Sequence, residues 1–126
     1  MQIIKTDKAP LPIGPYNQAV KANGLLFISG QICINPADGS LVNATLEDET
    51  HQVLKNLGAI LASEGLTFEH VAKCTVFIKD MHQFSRVNAV YGHYFKDATA
   101  PARETVEVSN LPKFVSVEIS AIAAYS

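Results

Sequence analysis

Val71-Ala72-Lys73-Cys74-Thr75-Val76-Phe77-Ile78-Lys79 is the stretch of this 126-residue chain on which the fold turns. The stretch is rich in β-branched and aromatic residues, and neither Gly nor Pro interrupts it, which reads as a strand. A pleated chain sends successive side chains to opposite faces. Ala72, Cys74, Val76 and Ile78 therefore form one side, expected to pack helices, and Lys73, Thr75, Phe77 and Lys79 form the other.

A segment of helical periodicity lies on each side of that strand. Thr45 is placed to cap the first, with Glu47, Asp48 and Glu49 complementing the positive end of the helix dipole. Its apolar face is Leu46, Val53, Leu54, Leu57, Ile60 and Leu61, and Gly65 is placed to end it as a left-handed cap. The second helix starts with Asp80 as N-cap and Gln83 as its capping-box partner, and buries Phe84, Val87, Tyr91, Tyr94 and Phe95.

Further strands are expected at Gln2–Thr6, Gln18–Ala22, Leu25–Ile32, Arg103–Val108 and Val115–Ala124, the second and third joined across the hairpin signal Asn23-Gly24. The order β-β-β-α-β-α-β-β predicts an α+β domain: a mixed six-stranded sheet with both helices on one face. The other face is left bare. The last strand offers it Ser116, Glu118, Ser120 and Ile122, and turns Val117, Ile119, Ala121 and Ala123 toward the helices. A broad face mixing Phe77, Thr75, Ile122 and an isolated Glu suits an interface better than bulk water, so self-association is expected, with clefts between subunits as ligand sites.

Length confines residues 1–126 to one domain. A net charge of −2, with ten Lys and Arg spread along the chain, gives no basic footprint and argues against nucleic acid as the main partner. No apolar run approaches a membrane span and the first residues lack a signal-peptide core, so a cytoplasmic protein with no membrane association is expected. Cys33 and Cys74 have no metal-ligand spacing and read as inert thiols, and no glycine-rich phosphate loop suggests a nucleotide cofactor.

Ionisable residues on otherwise apolar strands are the candidates for chemistry. Arg103, Thr105 and Glu107 share one side of their strand, opposite Val106 and Val108, which would put Arg103 on the same bare face as Glu118. Two readings stay open. The pair could form an internal salt bridge, or Arg103 could grip a planar carboxylate while Glu118 moves a proton. Gly14-Pro15 holds Tyr16 in a fixed place, and Ser29-Gly30-Gln31 ends a strand with a small hydroxyl and a glycine that admits a ligand closely. His51, His70, His82 and His93 fall in or beside the helices, so Ser29 lacks the partners of a nucleophilic serine. The Asn88 amide is expected to bond backbone.

Gly14-Pro15-Tyr16, Phe27-Ile28-Ser29-Gly30-Gln31, Cys74 to Asp80, Val87-Asn88-Ala89-Val90-Tyr91, Pro101-Ala102-Arg103 and Val117-Glu118-Ile119, in that order, make the chain resemble the RidA-type subgroup (also called the YjgF family) of the Rid family of reactive-intermediate deaminases. The resemblance implies a chorismate-mutase-like fold, a homotrimer with sites in its three intersubunit clefts, and hydrolysis of 2-imino acids to 2-oxo acids and ammonia without a cofactor or metal. It implies that Arg103 grips the carboxylate, Glu118 activates water, Thr105 offers its backbone N–H, and Tyr16, Ser29 and Gly30 line the pocket, Tyr16 coming from the neighbouring subunit. Thr105 stands where such members commonly carry Cys, and Glu104 where they carry a small residue; a Glu104 carboxylate in the pocket would compete with an anionic substrate. Other readings are a trimeric module that binds small carboxylates or acts as a chaperone without turnover, and an endoribonuclease.

Overall fold

In a computed structural model describing all of Met1–Ser126, Asn23 and Gly24 both take positive φ, 51° and 74°. Two left-handed residues in succession make the tight turn that matches strand twist. They join β2 (Ala19–Ala22) to β3 (Leu25–Gln31), with β1 (Gln2–Ile4) antiparallel on the outer side of β2. The last strand, β6 (Val117–Ala124), runs antiparallel between β3 and β4 (Val71–Ile78), and β5 (Ala102–Glu107) lies parallel on the far side of β4. The result is the expected mixed six-stranded sheet, in the order β1-β2-β3-β6-β4-β5.

Several strands are shorter than their composition suggests, for local reasons. Gln18, only 2% exposed, is withheld from β2 because its amide bonds the Thr6 N–H and the carbonyls of Thr6, Ala9 and Pro10. Those bonds satisfy a buried amide and end β1 at Ile4. β6 begins at Val117 rather than Val115 because Pro112–Phe114 forms a single 3-10 turn in which Lys113 and Phe114 both have φ of 56°.

Helix α1 (Leu46–Ser63) starts as expected, with the Thr45 side chain accepting the Asp48 N–H at 3.0 Å, and Gly65 follows its end at φ 70°. Its stripe of Val53, Leu54, Leu57, Ile60 and Leu61 is buried against the sheet, each side chain contributing about 1.5–3 kcal/mol. Helix α2 (Phe84–Tyr91) corrects an expectation: Asp80 caps a separate 3-10 turn, Met81–Gln83, by accepting the His82 N–H. Gln83 completes no capping box. Its side-chain oxygen instead accepts from Arg86 Nη1, and Arg86 also forms a two-pronged pair with Glu47 of α1.

Face parity holds along most of β4 and all of β6: Cys74, Val76, Ile78, Val117, Ile119, Ala121 and Ala123 are buried beneath the helices. Ala72 is exposed and Val71 buried instead, because the β4–β6 register shifts between Val71 and Lys73. The bare face carries Lys73, Thr75, Phe77, Glu118, Ser120 and Ile122, all half-buried, with Phe27 and Val106 exposed beside them. No helix is long and apolar enough to cross a membrane.

Candidate active site

Glu118 leaves β6 on the bare face, paired across the sheet with Phe77. On its other flank the β3–β6 register skips a residue between Ile28 and Gln31, a bulge that carries Ser29 and Gly30. The bulge brings the Gly30 backbone under the Glu118 carboxyl. A Cβ on Gly30 would lie 2.6 Å from Glu118 Oε2, so only glycine leaves room for the carboxyl there. Glu118 takes part in none of the chain's ion pairs, and burial raises its pKa above the usual carboxylate value.

A cavity of about 350 Å3 opens beside that carboxyl, walled by Tyr16, Ser29, Gly30, Gln31 and Pro112. The Ser29 hydroxyl donates to the Asn17 carbonyl at 2.6 Å, so it holds the bulge to the Tyr16 segment rather than standing free as a nucleophile. The Tyr16 hydroxyl accepts the Ile13 N–H at 3.4 Å, and the residue is 44% exposed where it lines the cavity. Gln31, buried and bonded to the Ser29 carbonyl, is a wall residue that pattern reading missed; so is Pro112, which looks like an ordinary loop proline.

Arg103 is not on this face. In the parallel β4–β5 register Arg103 stands beside Cys74 and Thr105 beside Val76, both buried under the helices, so Arg103 projects toward α2. Val106 is the residue on the bare side, next to Phe77 and 44% exposed. Alternation gives each strand two sides but not which one meets the helices, and on an edge strand the apolar side need not be the core side. Arg103 and Glu118 therefore lie on opposite faces of the sheet within one chain, and the internal salt bridge does not form.

What Arg103 meets instead is a stripe of α2. Its Nη1 donates to Asn88 Oδ1 at 2.8 Å, and its Cζ lies 4.6 Å from the Tyr91 ring centre and 5.5 Å from that of Phe84. Phe84, Asn88 and Tyr91 succeed one another at helical spacing, so one helix face cradles the guanidinium. The Asn88 side chain is thus a partner of Arg103, not of the backbone. Only one of the guanidinium donors is engaged, and the remainder are free for an anion. The Val108 N–H donates to the Ile78 carbonyl, so by alternation the amides of Arg103 and Thr105 face the open edge of β5. Glu104 points to the bare side and pairs with Lys73 at 3.0 Å, away from the guanidinium.

Of the remaining candidates, Cys74 lies buried beside Arg103, and the others fall outside both regions. Cys33 and Cys74 are fully buried, with burial pushing the Cys33 thiol up to about 11 and raising that of Cys74. His51 Nδ1 bonds the Tyr94 hydroxyl at 2.9 Å and its ring lies 5.6 Å from that of His93, both on the helix layer. His70 bonds Thr67 and His82 bonds Asp80.

The family described as Endoribonuclease L-PSP matches residues 6–125. A RutC family protein of Synechocystis is 53% identical over 124 residues, covering 98% of this chain and 95% of that protein. The chloroplastic Reactive Intermediate Deaminase A of Arabidopsis thaliana is 43% identical over 122 residues, covering 97% of this chain and 65% of that protein. The chain belongs to the Rid family. Among solved Rid structures, that of E. coli TdcF with bound serine superposes with a TM-score of 0.93 at 41% identity, covering 100% of both chains. The six-stranded α+β fold of the Rid chain is thus matched over its whole length.

Proposed function

We propose that this Rid protein hydrolyses 2-imino acids, formed from enamines such as 2-aminoacrylate and 2-aminocrotonate, to 2-oxo acids and ammonia without a cofactor. It does so as a homotrimer in which Arg103 of one subunit faces the Glu118 cavity of the next. The observation that carries this reading is that each chain holds two incomplete halves. One is a guanidinium with free donors beside outward-facing amides, and the other is an unpaired carboxyl at the wall of a cavity. A cleft between subunits unites them, and Tyr16 and Ser29 then come from the subunit opposite Arg103.

The substrate carboxylate lies in the Arg103 fork, with the Thr105 N–H as a further donor. Glu118 accepts a proton from water as its oxygen bonds to the imine carbon, giving a carbinolamine. The carboxyl then returns the proton to nitrogen, and as the C–N bond breaks the carbinolamine hydroxyl passes its own proton back to the Glu118 carboxylate, so that ammonia and the 2-oxo acid leave. A carboxyl raised toward working pH serves both steps better than an ordinary one. Holding a carboxylate and a water at fixed distance is the larger part of the task, since the imine is already electrophilic. The name of the Arabidopsis relative, and the serine bound to TdcF, whose carboxylate Arg103 would grip, support this substrate class.

A trimer that only binds small carboxylates would use the same halves. A threonine dehydratase supplying 2-iminobutanoate, with semicarbazide competing for it, separates the two: the deaminase diverts imine from the trap and a pure binder does not. The ribonuclease named in the family description would have to act on a chain of net charge −2, and RNA cleavage surviving Arg103→Ala and Glu118→Gln would lie outside this cleft.

A further inference from the structure

Glu49 is the one carboxylate that the chain buries outright, 3% exposed. In sequence it is one of three acids in the first turn of α1, but its oxygen reaches through to the sheet. Oε2 accepts the Ser116 N–H at 2.7 Å and the Val117 N–H at 2.9 Å. These are the two amides at which β6 begins, and the next residue is Glu118. The preceding segment is the irregular turn with Lys113 and Phe114 left-handed, and its Pro112 stands on the cavity wall. The chain must pass from that wall, through two strained residues, into a register that sets Glu118 over Gly30. On the sheet side the entry is held by the Lys79 N–H to Ser116 carbonyl bond and the pairing of Val117 with Ile78, and from behind by the Glu49 carboxylate alone.

We propose that Glu49 is a positioning residue for Glu118: its buried carboxylate holds the first two amides of β6 from behind the sheet and so sets where the Glu118 carboxyl stands in the cavity. The link is mechanical. Glu49's charge acts on the Cys33 thiol beside it, whereas burial alone moves Glu118. Two bonds from one carboxylate to adjacent amides fix both the strand's height and its rotation, and active-site groups tolerate little error in either. The proposal rests on Glu118 as the proton-transfer group.

The test sets length against charge. Glu49→Gln keeps the reach and an acceptor oxygen; Glu49→Asp keeps the charge but falls one methylene short of the two amides. With 2-iminobutanoate generated in place, Glu49→Gln should retain kcat within about threefold, while Glu49→Asp should lose about tenfold with KM within about twofold. The reverse order would assign the role to charge, and loss in neither or equal loss in both would leave Glu49 as ordinary buried structure; each overturns the proposal. If the wild-type protein does not hydrolyse the imine, the deaminase reading fails on its own. Positioning is then read from the 13C-carboxyl titration of Glu118, assigned by its absence in Glu118→Gln. The curve should match wild type in Glu49→Gln and shift in Glu49→Asp, and any other pattern overturns the proposal. Should Glu49→Asp not fold, Glu49→Ala takes its place: a shifted Glu118 curve there beside a wild-type curve in Glu49→Gln supports reach, and any other pattern overturns the proposal.

Discussion

The two halves of the candidate site are built in different ways. Arg103 stands on a regular edge strand and is cradled by Phe84, Asn88 and Tyr91 from one face of a regular helix. Glu118 stands where regularity fails, over a β-bulge at Ser29–Gly30, beside a wall that ends in a turn with two left-handed residues, and next to amides taken up by a buried carboxylate. The arginine half is a matter of side chains, so it should respond to substitution gradually, as a loss of grip. The glutamate half is a matter of backbone geometry, and small changes there should misplace the reacting group while leaving the grip intact.

The strongest break of this contrast is Glu118→Gln. Removing the proton acceptor should lower kcat by about 10²–10⁴-fold while 2-oxobutanoate, which needs only the grip, binds as before in a calorimetric titration. The same substitution should stabilise the fold. A carboxyl whose folded pKa is raised contributes stability that is fully present below its unfolded pKa and is lost as pH rises through the folded one. Above that range Glu118→Gln should therefore melt higher than wild type, with the difference vanishing in acid. Wild-type kcat should fall in acid through a limb lying above the ordinary carboxylate range. A variant that lost activity and stability together would place Glu118 among structural residues.

Next in size is Gly30→Ala. The added methyl would meet the Glu118 carboxyl well inside contact distance, and the carboxyl must swing away because β3 cannot. A displacement of about 1 Å at the reacting group can cost about 10²-fold, and a fall in kcat of at least about tenfold with unchanged 2-oxobutanoate affinity is expected. Equal loss of both would mean that the bulge supports the whole cleft, and the contrast between the halves would not hold.

Much of the fold is legible in the amino-acid sequence, and the parts that are not follow the same divide. The sheet, both helices, the caps at Thr45 and Gly65 and the turn at Asn23-Gly24 all follow from local chemistry that acts within a few residues. Glu118's face follows from simple alternation in a central strand buried on one side only. Arg103's face does not, because β5 is an edge strand whose parallel partner β4, distant in sequence, decides which side meets the helices. The helical stripe that Asn88 shares with Phe84 and Tyr91 is legible, but its partner is not, because Arg103 reaches it only once the side of β5 that meets the helices is known. Glu49 could not: nothing local distinguishes it from Glu47 and Asp48, and only the packing of α1 against the start of β6 separates one buried acid from its two neighbours.

Asn88→Ala sharpens the arginine side. The lost bond is charge-assisted but partly open to water, so a cost of about 1 kcal/mol, or about fivefold in 2-oxobutanoate affinity, is expected, with kcat nearly unchanged. A larger fall in kcat than in affinity would mean that the guanidinium aligns the imine as well as holding it. That outcome would narrow the difference between the halves.

Glu104→Ala should do least. Its carboxylate is exposed, pairs with Lys73 across the bare side of the sheet, and stands on the opposite side of β5 from Arg103. Exposed pairs of this kind contribute about 0–1 kcal/mol, so the melting temperature of the isolated fold should hardly move. Affinity for 2-oxobutanoate should also stay within about twofold, because a charge directed away from the guanidinium and already neutralised by a lysine is screened within about 8 Å at physiological salt. A gain in affinity beyond that would show Glu104 reaching the anion in the assembled protein. The arginine half would then carry a built-in competitor for its own ligand, and Glu104 would become its selectivity control.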